Sequence, residues 1–184
     1  MGFRSVLCVL ALLVLPGLSA CGGGSSPAAP SPSAPAQVGG LWTGIANWTS
    51  VTGGECMGPT LAGSAQRSPR VTLTIQQTGT SLTATVSTTM HAAVCTYSGS
   101  AGTTTISLIL QSCLGGKLNN IKCNNGDLRD LELVGGAFTG TVDAAGIVGT
   151  EEQRWNTFAT GTANPNAPMV INSAFGLKRG PFAD

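Results

Sequence analysis

The sequence predicts an all-β protein whose antiparallel meander of short strands closes into a barrel or a two-sheet β-sandwich. Between residues 71 and 87, apolar and polar residues alternate strictly, as in strands with one buried face. Residues 38–184 show no sustained apolar repeat of three to four residues, so helix is expected to be scarce. Turn-forming residues recur often enough to separate roughly eight to ten strands.

The first twenty residues are typical of a secretory signal peptide. Arg4 is followed by an apolar run over residues 6–15 and by a break at Pro16 and Gly17. The apolar run has about half of the roughly 20 residues that a membrane-spanning helix needs. We therefore expect residues 1–20 to be removed on export.

The apolar run leads into Leu18-Ser19-Ala20-Cys21, which resembles the lipobox of bacterial lipoproteins. The resemblance implies cleavage before Cys21 and attachment of lipid to its thiol, which would anchor the protein to a membrane. The alternative is an ordinary cysteine that follows an ordinary cleavage site. In that family, Asp after the lipidated Cys favours the inner membrane. Gly22 occupies this position, so the outer membrane of the cell envelope is the expected location.

Residues 21–37 are rich in Gly, Ser, Pro and Ala, a composition that predicts a flexible linker. Residues 38–184 then form a single domain of ordinary size. Removal of Arg4 with the signal leaves eight basic and eight acidic residues. The absence of a basic excess gives nucleic-acid binding no electrostatic support.

The clearest strand signal is a hairpin over residues 71–87. A turn about Thr78-Gly79 places every apolar residue of both strands on one face, with three expected pairs: Ile75 with Leu82, Leu73 with Ala84, and Val71 with Val86. A second hairpin is expected over residues 138–150, with its turn at Asp143-Ala144-Ala145-Gly146. Further strands are expected over residues 41–49, 92–98, 104–111, 128–134, 153–158 and 169–178.

The segment Gly40-Leu41-Trp42 opens the first strand and resembles the Gly-x-Trp start of lipocalins and of avidin-like barrels. The resemblance favours a barrel of about eight strands over the sandwich. In lipocalins an Arg of the last strand packs over this Trp at the closed end, which implies a pair between Trp42 and Arg179. The chain departs from lipocalins because it has no Thr-Asp-Tyr-type motif and ends at Asp184, without a C-terminal helix.

Four cysteines remain in the mature domain: Cys56, Cys95, Cys113 and Cys123. An even number of cysteines in an exported domain predicts two disulfides, and three pairings are possible. We favour Cys113 with Cys123, which would close a short Gly- and Asn-rich loop, and therefore Cys56 with Cys95. Their spacing does not fit a zinc site, and the chain has one histidine, so no metal is expected.

No arrangement of residues predicts catalysis or a cofactor. His91 has no evident catalytic partner, and Glu151 and Glu152 are adjacent in a strand, so their side chains should point to opposite faces. Asp143 or Asp127 could form a carboxylate pair with one of these glutamates only if the fold brings the two side chains close together. The turn at Asn124-Asn125-Gly126-Asp127 does not have the ligand spacing of an EF-hand.

These observations favour a non-enzymatic lipoprotein, anchored through Cys21, that binds a small apolar ligand or a neighbouring envelope protein. A structural or adhesive β-sandwich without a cavity is the alternative, and an envelope hydrolase has the least support. The interior of the domain distinguishes ligand binding from a scaffold.

Replacement of Cys21 by Ser should abolish lipidation and leave the precursor uncleaved by the lipoprotein peptidase, because the thiol is the acceptor of the lipid. Metabolic labelling with a clickable fatty acid measures lipidation, and gel mobility measures cleavage. Cys8→Ser is the matched control and should be labelled like the wild type. Unchanged labelling of the Cys21 variant would contradict the lipoprotein assignment.

Overall fold

The computed structural model describes residues 33–53, 68–89, 91–123, 126–159 and 168–182. These residues form nine β-strands and no helix: β1 (Gly40–Gly53), β2 (Arg70–Thr78), β3 (Ser81–Thr88), β4 (His91–Ala101), β5 (Thr105–Leu114), β6 (Lys117–Lys122), β7 (Leu128–Val142), β8 (Ile147–Ala159) and β9 (Met169–Arg179). No helix of this part of the chain has the length and apolar character to span a membrane.

The sheet closes into an eight-stranded antiparallel barrel. Strands β1 to β5 pair in sequence order, β5 pairs with β7, and β7, β8 and β9 continue back to β1. The β1–β9 ladder runs from Trp42 opposite Arg179 to Gly53 opposite Met169. The predicted barrel is therefore confirmed, and the alternative of a two-sheet sandwich is wrong.

Strand β6 lies outside this closure and was not predicted. Strands β5 and β6 pair with successive parts of the same edge of β7: β5 over residues 137–141, and β6 over residues 128–132. Between these two ladders, residues 110–114 stay paired with β4. The backbone N–H of Leu133 donates to the carbonyl of Gly116 at 2.9 Å, so the wall is interrupted between residues 110–115 and 134–136, and we call this interruption the seam.

The first hairpin has the predicted faces but a different register. Ile75 lies opposite Ala84 rather than Leu82, and Val71 lies opposite Thr88 rather than Val86. The turn is centred on Gly79-Thr80, where the φ of Gly79 is 61°, as two-residue hairpin loops require. A shift of two residues leaves every side chain on the same face, which is why alternation alone could not reveal it.

The second hairpin has the predicted register. Val142 lies opposite Ile147, and the Asp143 carboxylate accepts hydrogen bonds from the backbone N–H groups of Ala145 and Gly146 at 2.7 and 3.0 Å. Its strands are longer than predicted. Residues 128–142 form one continuous strand that crosses a bulge between Leu133 and Gly135.

Apolar side chains of all eight barrel strands point into the interior, as the alternation predicts. The largest completely buried side chains are Trp155, Leu73, Leu82, Leu108, Leu131, Ile147, Met169, Ile171, Leu177 and Val38. Phe138 and Phe175 stack inside the barrel with their ring centroids 3.7 Å apart. A side chain at Gly140 or Gly149 would collide with the backbone and with the Phe175 ring, so glycine makes room for this stack.

One end of the barrel is sealed by Trp42 and its neighbours. The Arg179 guanidinium lies 4.4 Å from the indole centroid of Trp42 and donates hydrogen bonds to the carbonyls of Gly39 and Gln37 at 2.6 and 2.9 Å. The Trp42 indole N–H donates to the carbonyl of Val38, which is itself completely buried. The structure thus brings Trp42 and Arg179 together, and the chain before β1 covers this end.

The contacts of the barrel begin before the expected domain boundary at residue 38. The Ala36 backbone N–H donates to the carbonyl of Gly102 at 2.8 Å, and the Gln77 side-chain amide donates to the carbonyl of Ala36 at 2.8 Å. The end of the predicted linker is therefore part of the seal.

The favoured disulfide pairing is wrong. Cys95 is bonded to Cys113, its direct partner across the β4–β5 ladder. Cys113 and Cys123 are close in sequence, but β6 runs extended between them for six residues, about 20 Å of strand. Cys123 is also disulfide-bonded, and Cys56 lies outside the described residues.

Peptide mapping without reduction should recover Cys95 linked to Cys113, which leaves Cys56 as the expected partner of Cys123. The double variant Cys95→Ala/Cys113→Ala should lose about 3 kcal/mol of unfolding free energy, because the bond closes a loop of 18 residues. Urea denaturation measures this loss. Thr96→Ala/Ser112→Ala, an exposed pair beside the disulfide, is the control and should change stability little. A peptide that links Cys113 to Cys123 would contradict the register.

Candidate functional site

A group of polar side chains lies inside the barrel on β8. In an extended strand, alternate residues face the same side, so Glu151, Gln153 and Trp155 all point inward. Their side chains are 6%, 7% and 0% exposed. The intervening Glu152 and Arg154 point outward and form an ion pair of 2.8 Å. The prediction that the adjacent glutamates face opposite sides is confirmed.

Hydrogen bonds join these inward side chains to Tyr97 on β4. The Tyr97 hydroxyl donates to Oε1 of Glu151 at 3.0 Å, and the Trp155 indole N–H donates to Oε1 of Gln153 at 3.2 Å. Since the oxygen of the Gln153 amide accepts from the indole, its nitrogen is the group that donates to Glu151. We call Tyr97, Glu151, Gln153 and Trp155 the interior cluster.

The Glu151 carboxyl is buried, and none of the described ion pairs includes it. The basic side chains of the described ion pairs, Lys117, Arg129 and Arg154, all pair with acidic groups other than Glu151. Burial raises the pKa of Glu151, and the hydrogen bonds from Gln153 and Tyr97 oppose this rise only in part. The carboxyl therefore tends to hold its proton in the folded protein.

Tyr97 remains a hydrogen-bond donor to Glu151. Burial, the neighbouring carboxylate charge and the donated hydrogen bond all raise the pKa of the Tyr97 phenol. The hydroxyl is therefore neutral at any physiological pH.

Ser173 adds a hydroxyl to this interior. It lies directly opposite Glu151 in the β8–β9 ladder, and its side chain is 3% exposed. Directly opposed residues of antiparallel strands have Cβ atoms about 5 Å apart. Within the described part of the chain, no side-chain hydrogen bond satisfies the Ser173 hydroxyl. A buried and unsatisfied hydroxyl costs about 1–3 kcal/mol, so this position calls for a further polar partner.

The interior cluster lies beside the seam. A Cβ atom at Gly136, which occupies the β7 edge of the seam, would stand 3.2 Å from the Tyr97 hydroxyl oxygen and 3.5 Å from Cβ of Leu110. Glycine at this position lets Tyr97 extend against the wall and reach Glu151. Thus the gap in the ladder and the polar group occur at the same level of the barrel.

Two concavities are lined by described residues: one includes Tyr97 in its lining, and the other lies at the seam. A groove of about 350 Å³ follows the exterior of β2 to β5 and is lined mainly by hydroxyl and amide side chains, among them Thr74, Thr85 and Gln111. A second groove of about 310 Å³ lies at Gly115 and Gly116, beside Lys117 and Glu132. Neither has the Val, Leu and Trp lining expected of an apolar ligand site.

The other residues considered in the sequence are engaged elsewhere. Asp143 caps its own turn, Asp127 pairs with Arg129 at 3.0 Å, and neither is a partner of Glu151. Asp130 accepts from the backbone N–H of Asn120, and no group of three metal-ligating side chains occurs within the described ranges. His91 begins β4, and Cys21 lies outside the described residues.

Sequence reasoning considered Glu151 only as half of a carboxylate pair and missed its buried role. A signal was available. Glu151 and Gln153 occupy the phase of β8 that also carries Ile147 and Trp155, so two polar residues fall on a face expected to be apolar. The sequence could not reveal that Tyr97 and Ser173 lie near Glu151, because these residues belong to three different strands.

Comparison of the chain with protein-family models, with curated proteins and with solved structures finds no match.

Replacement of Glu151 by Gln should remove a pH-dependent loss of stability. The ordinary pKa of a glutamic acid side chain is 4.5. At a pH well below this value, Glu151 is protonated in both the folded and the unfolded chain. As the pH rises above this value, the unfolded chain releases the proton first, and the free energy of unfolding falls by up to about 1.4 kcal/mol per pH unit. The fall ends where the pH passes the raised pKa of the folded state.

Urea denaturation between pH 4 and pH 8 measures this difference. The unfolding free energy of the Glu151→Gln variant should increase relative to the wild type as the pH rises. Glu152→Gln, at the adjacent outward position, is the matched control and should follow the wild type. A Glu151 variant whose difference from the wild type does not depend on pH would contradict the raised pKa.

Proposed function

We propose that this protein is a non-enzymatic lipoprotein of the cell envelope whose barrel binds a small, largely apolar molecule in its interior. The observation that carries the proposal is the polar group of Glu151, Tyr97 and Ser173 inside an otherwise apolar barrel. It includes a buried hydroxyl with no hydrogen-bond partner in the described part of the chain.

The composition of this interior fits ligand binding. Sites for small molecules are mostly apolar and contain a few convergent polar groups that orient the ligand. Here Ile171, Met169 and the Phe138–Phe175 stack supply apolar surface, whereas Glu151 and Ser173 supply the polar groups. Keeping polar side chains inside a barrel costs stability, which supports a role for them other than packing.

The direction of access follows from the seal. Trp42, Val38 and Arg179 occupy one end of the barrel, so a ligand would enter from the opposite end. Interior side chains between the two ends would then contact the ligand along its length.

The cellular setting rests on the sequence. Export by residues 1–20, lipid on Cys21 and a linker that precedes Ala36 would hold the barrel near a membrane surface. Gly22 favours the outer membrane. A small apolar molecule in this setting would be carried or sensed within the envelope.

A scaffold that engages an envelope protein is the second candidate. The exterior presents Ile45 and Val148 on either side of Gly176, and these two apolar side chains are 45% and 55% exposed. An interior that binds no small molecule would favour this candidate.

Hexan-1-ol is a suitable test ligand because it combines a short apolar chain with one hydroxyl. The mature lipoprotein in phosphatidylcholine nanodiscs should bind it in isothermal titration calorimetry, with empty nanodiscs as the blank. Ser173→Leu, which places an apolar side chain beside Glu151, should weaken binding at least tenfold. Thr150→Leu changes a neighbouring outward residue and should bind like the wild type.

Thermal melting of each variant establishes that it is folded at the temperature of the titration. Equal binding by both leucine variants would place the ligand outside the barrel. Absence of heat above the blank for the folded wild type, with hexan-1-ol and with its amine, acid and thiol analogues, would contradict the proposed function.

A further inference from the structure

Building on the ligand-binding function proposed above, we infer that the interior site takes an amphipathic primary amine, with its ammonium group held by the Glu151 carboxylate and the Ser173 hydroxyl. The inference concerns the chemical class of the ligand and rests on the charge and hydrogen-bonding capacity that the interior offers.

The Glu151 carboxyl can pair with a cation once it gives up its proton. Glu151 is the one ionisable acid among the buried residues that the structure describes, and it forms no ion pair. Arg179 belongs to the seal, where its guanidinium covers Trp42. A carboxylate in a low-dielectric interior is stable only when an opposite charge or several hydrogen bonds compensate it. A ligand ammonium would supply that charge.

The hydrogen-bonding capacity also matches an ammonium. The Glu151 carboxylate accepts from Tyr97 and Gln153, which leaves lone pairs of its two oxygens unused. The oxygen of Ser173, on the adjacent strand, can accept as well. An ammonium group has three N–H donors and no acceptor, so it can satisfy both residues at once.

Other head groups fit less well. A carboxylate or phosphate would place a second negative charge beside Glu151. None of the Lys or Arg side chains of the described ion pairs lies there to neutralise that charge. An alcohol could bond to Ser173, but it would form no ion pair with Glu151. The amine is therefore favoured over an acid or an alcohol of equal chain length.

Binding of the amine has a defined proton balance. The carboxyl group of Glu151 loses its proton to solvent, and the resulting carboxylate pairs with the incoming ammonium group. Among the residues that the structure describes, Tyr97 from β4 is the other titratable side chain that faces Glu151, and its raised pKa keeps it neutral throughout. Burial raises the pKa of Glu151 in the free protein, so amine binding at lower pH should release up to one proton.

The test compares hexylamine with hexan-1-ol, which have equal chains. Both are titrated into the mature lipoprotein in nanodiscs of zwitterionic phosphatidylcholine, with empty nanodiscs as the blank. At pH 7 hexylamine should bind at least tenfold more tightly than hexan-1-ol. Glu151→Gln should weaken hexylamine binding at least tenfold and change hexan-1-ol binding by less than about threefold. The outward variant Glu152→Gln should leave the binding of both ligands unchanged.

Proton release supplies a measurement that needs no variant. Titrations of wild-type protein with hexylamine at pH 6, in buffers of different ionisation enthalpy, should show net proton release, whereas hexan-1-ol should show none. The hexylamine affinity should rise with pH until Glu151 is ionised in the free protein.

The outcomes separate the two proposals. If hexan-1-ol binds but hexylamine binds no more tightly, or if Glu151→Gln retains full hexylamine affinity, the amine inference is overturned and the ligand-binding function stands. If neither compound binds and the acid and thiol analogues also fail, the ligand-binding function fails and the amine inference fails with it. Tighter hexylamine binding that depends on Glu151 and releases protons supports both.

Discussion

The ladder between β1 and β9 is the constraint on which the rest of the structure depends. It joins the first and last strands of a barrel whose other neighbours, apart from β5 and β7, are consecutive in sequence, and it closes the sheet upon itself. Formation of this ladder brings Arg179 over Trp42 and orders the chain from Ala36 to Val38 against the same end. The seal is thus a consequence of closure.

Closure also creates the electrostatic problem at Glu151. In an open sheet, the inward face of β8 could remain in contact with water. In the barrel, the carboxyl of Glu151 is surrounded by protein and retains only the hydrogen bonds of Tyr97 and Gln153. Desolvation then dominates and favours the protonated form. A polar cluster of this kind stabilises the barrel less than apolar packing would, and a bound ligand would offset that cost.

The seam shows how the wall accommodates these side chains. Strand β5 leaves β7 after Ile109 and stays with β4, where the Cys95–Cys113 bond ties the two strands together. Strand β6 then resumes the pairing with β7. The disulfide crosslinks β4 and β5 in the stretch where β5 has lost its other neighbour, so a covalent bond supports the wall at that level. Tyr97 reaches Glu151 past Gly136 at the same level.

The class of fold and most of its strands could be predicted from the sequence, because a period of two in apolar residues is a local property that occurs in any β architecture. The sequence also placed both strand faces of the first hairpin correctly while missing its register, since a shift of two residues preserves every face. The Gly40-Leu41-Trp42 resemblance led to the barrel and to the pair of Trp42 with Arg179. The lipobox at Cys21 remains a prediction of the sequence alone.

Only the tertiary structure decided the disulfide pairing, the position of β6 and the interior cluster. Cys113 lies beside Cys95 because β4 and β5 are paired there, although Cys123 is nearer along the chain. Tyr97, Glu151 and Ser173 come from three strands, and no local pattern connects residues 54 or 22 positions apart. Local alternation predicts which face of the sheet a side chain occupies, whereas the closure of the sheet determines which residues that side chain contacts. The contacts among Tyr97, Glu151 and Ser173 all depend on this closure.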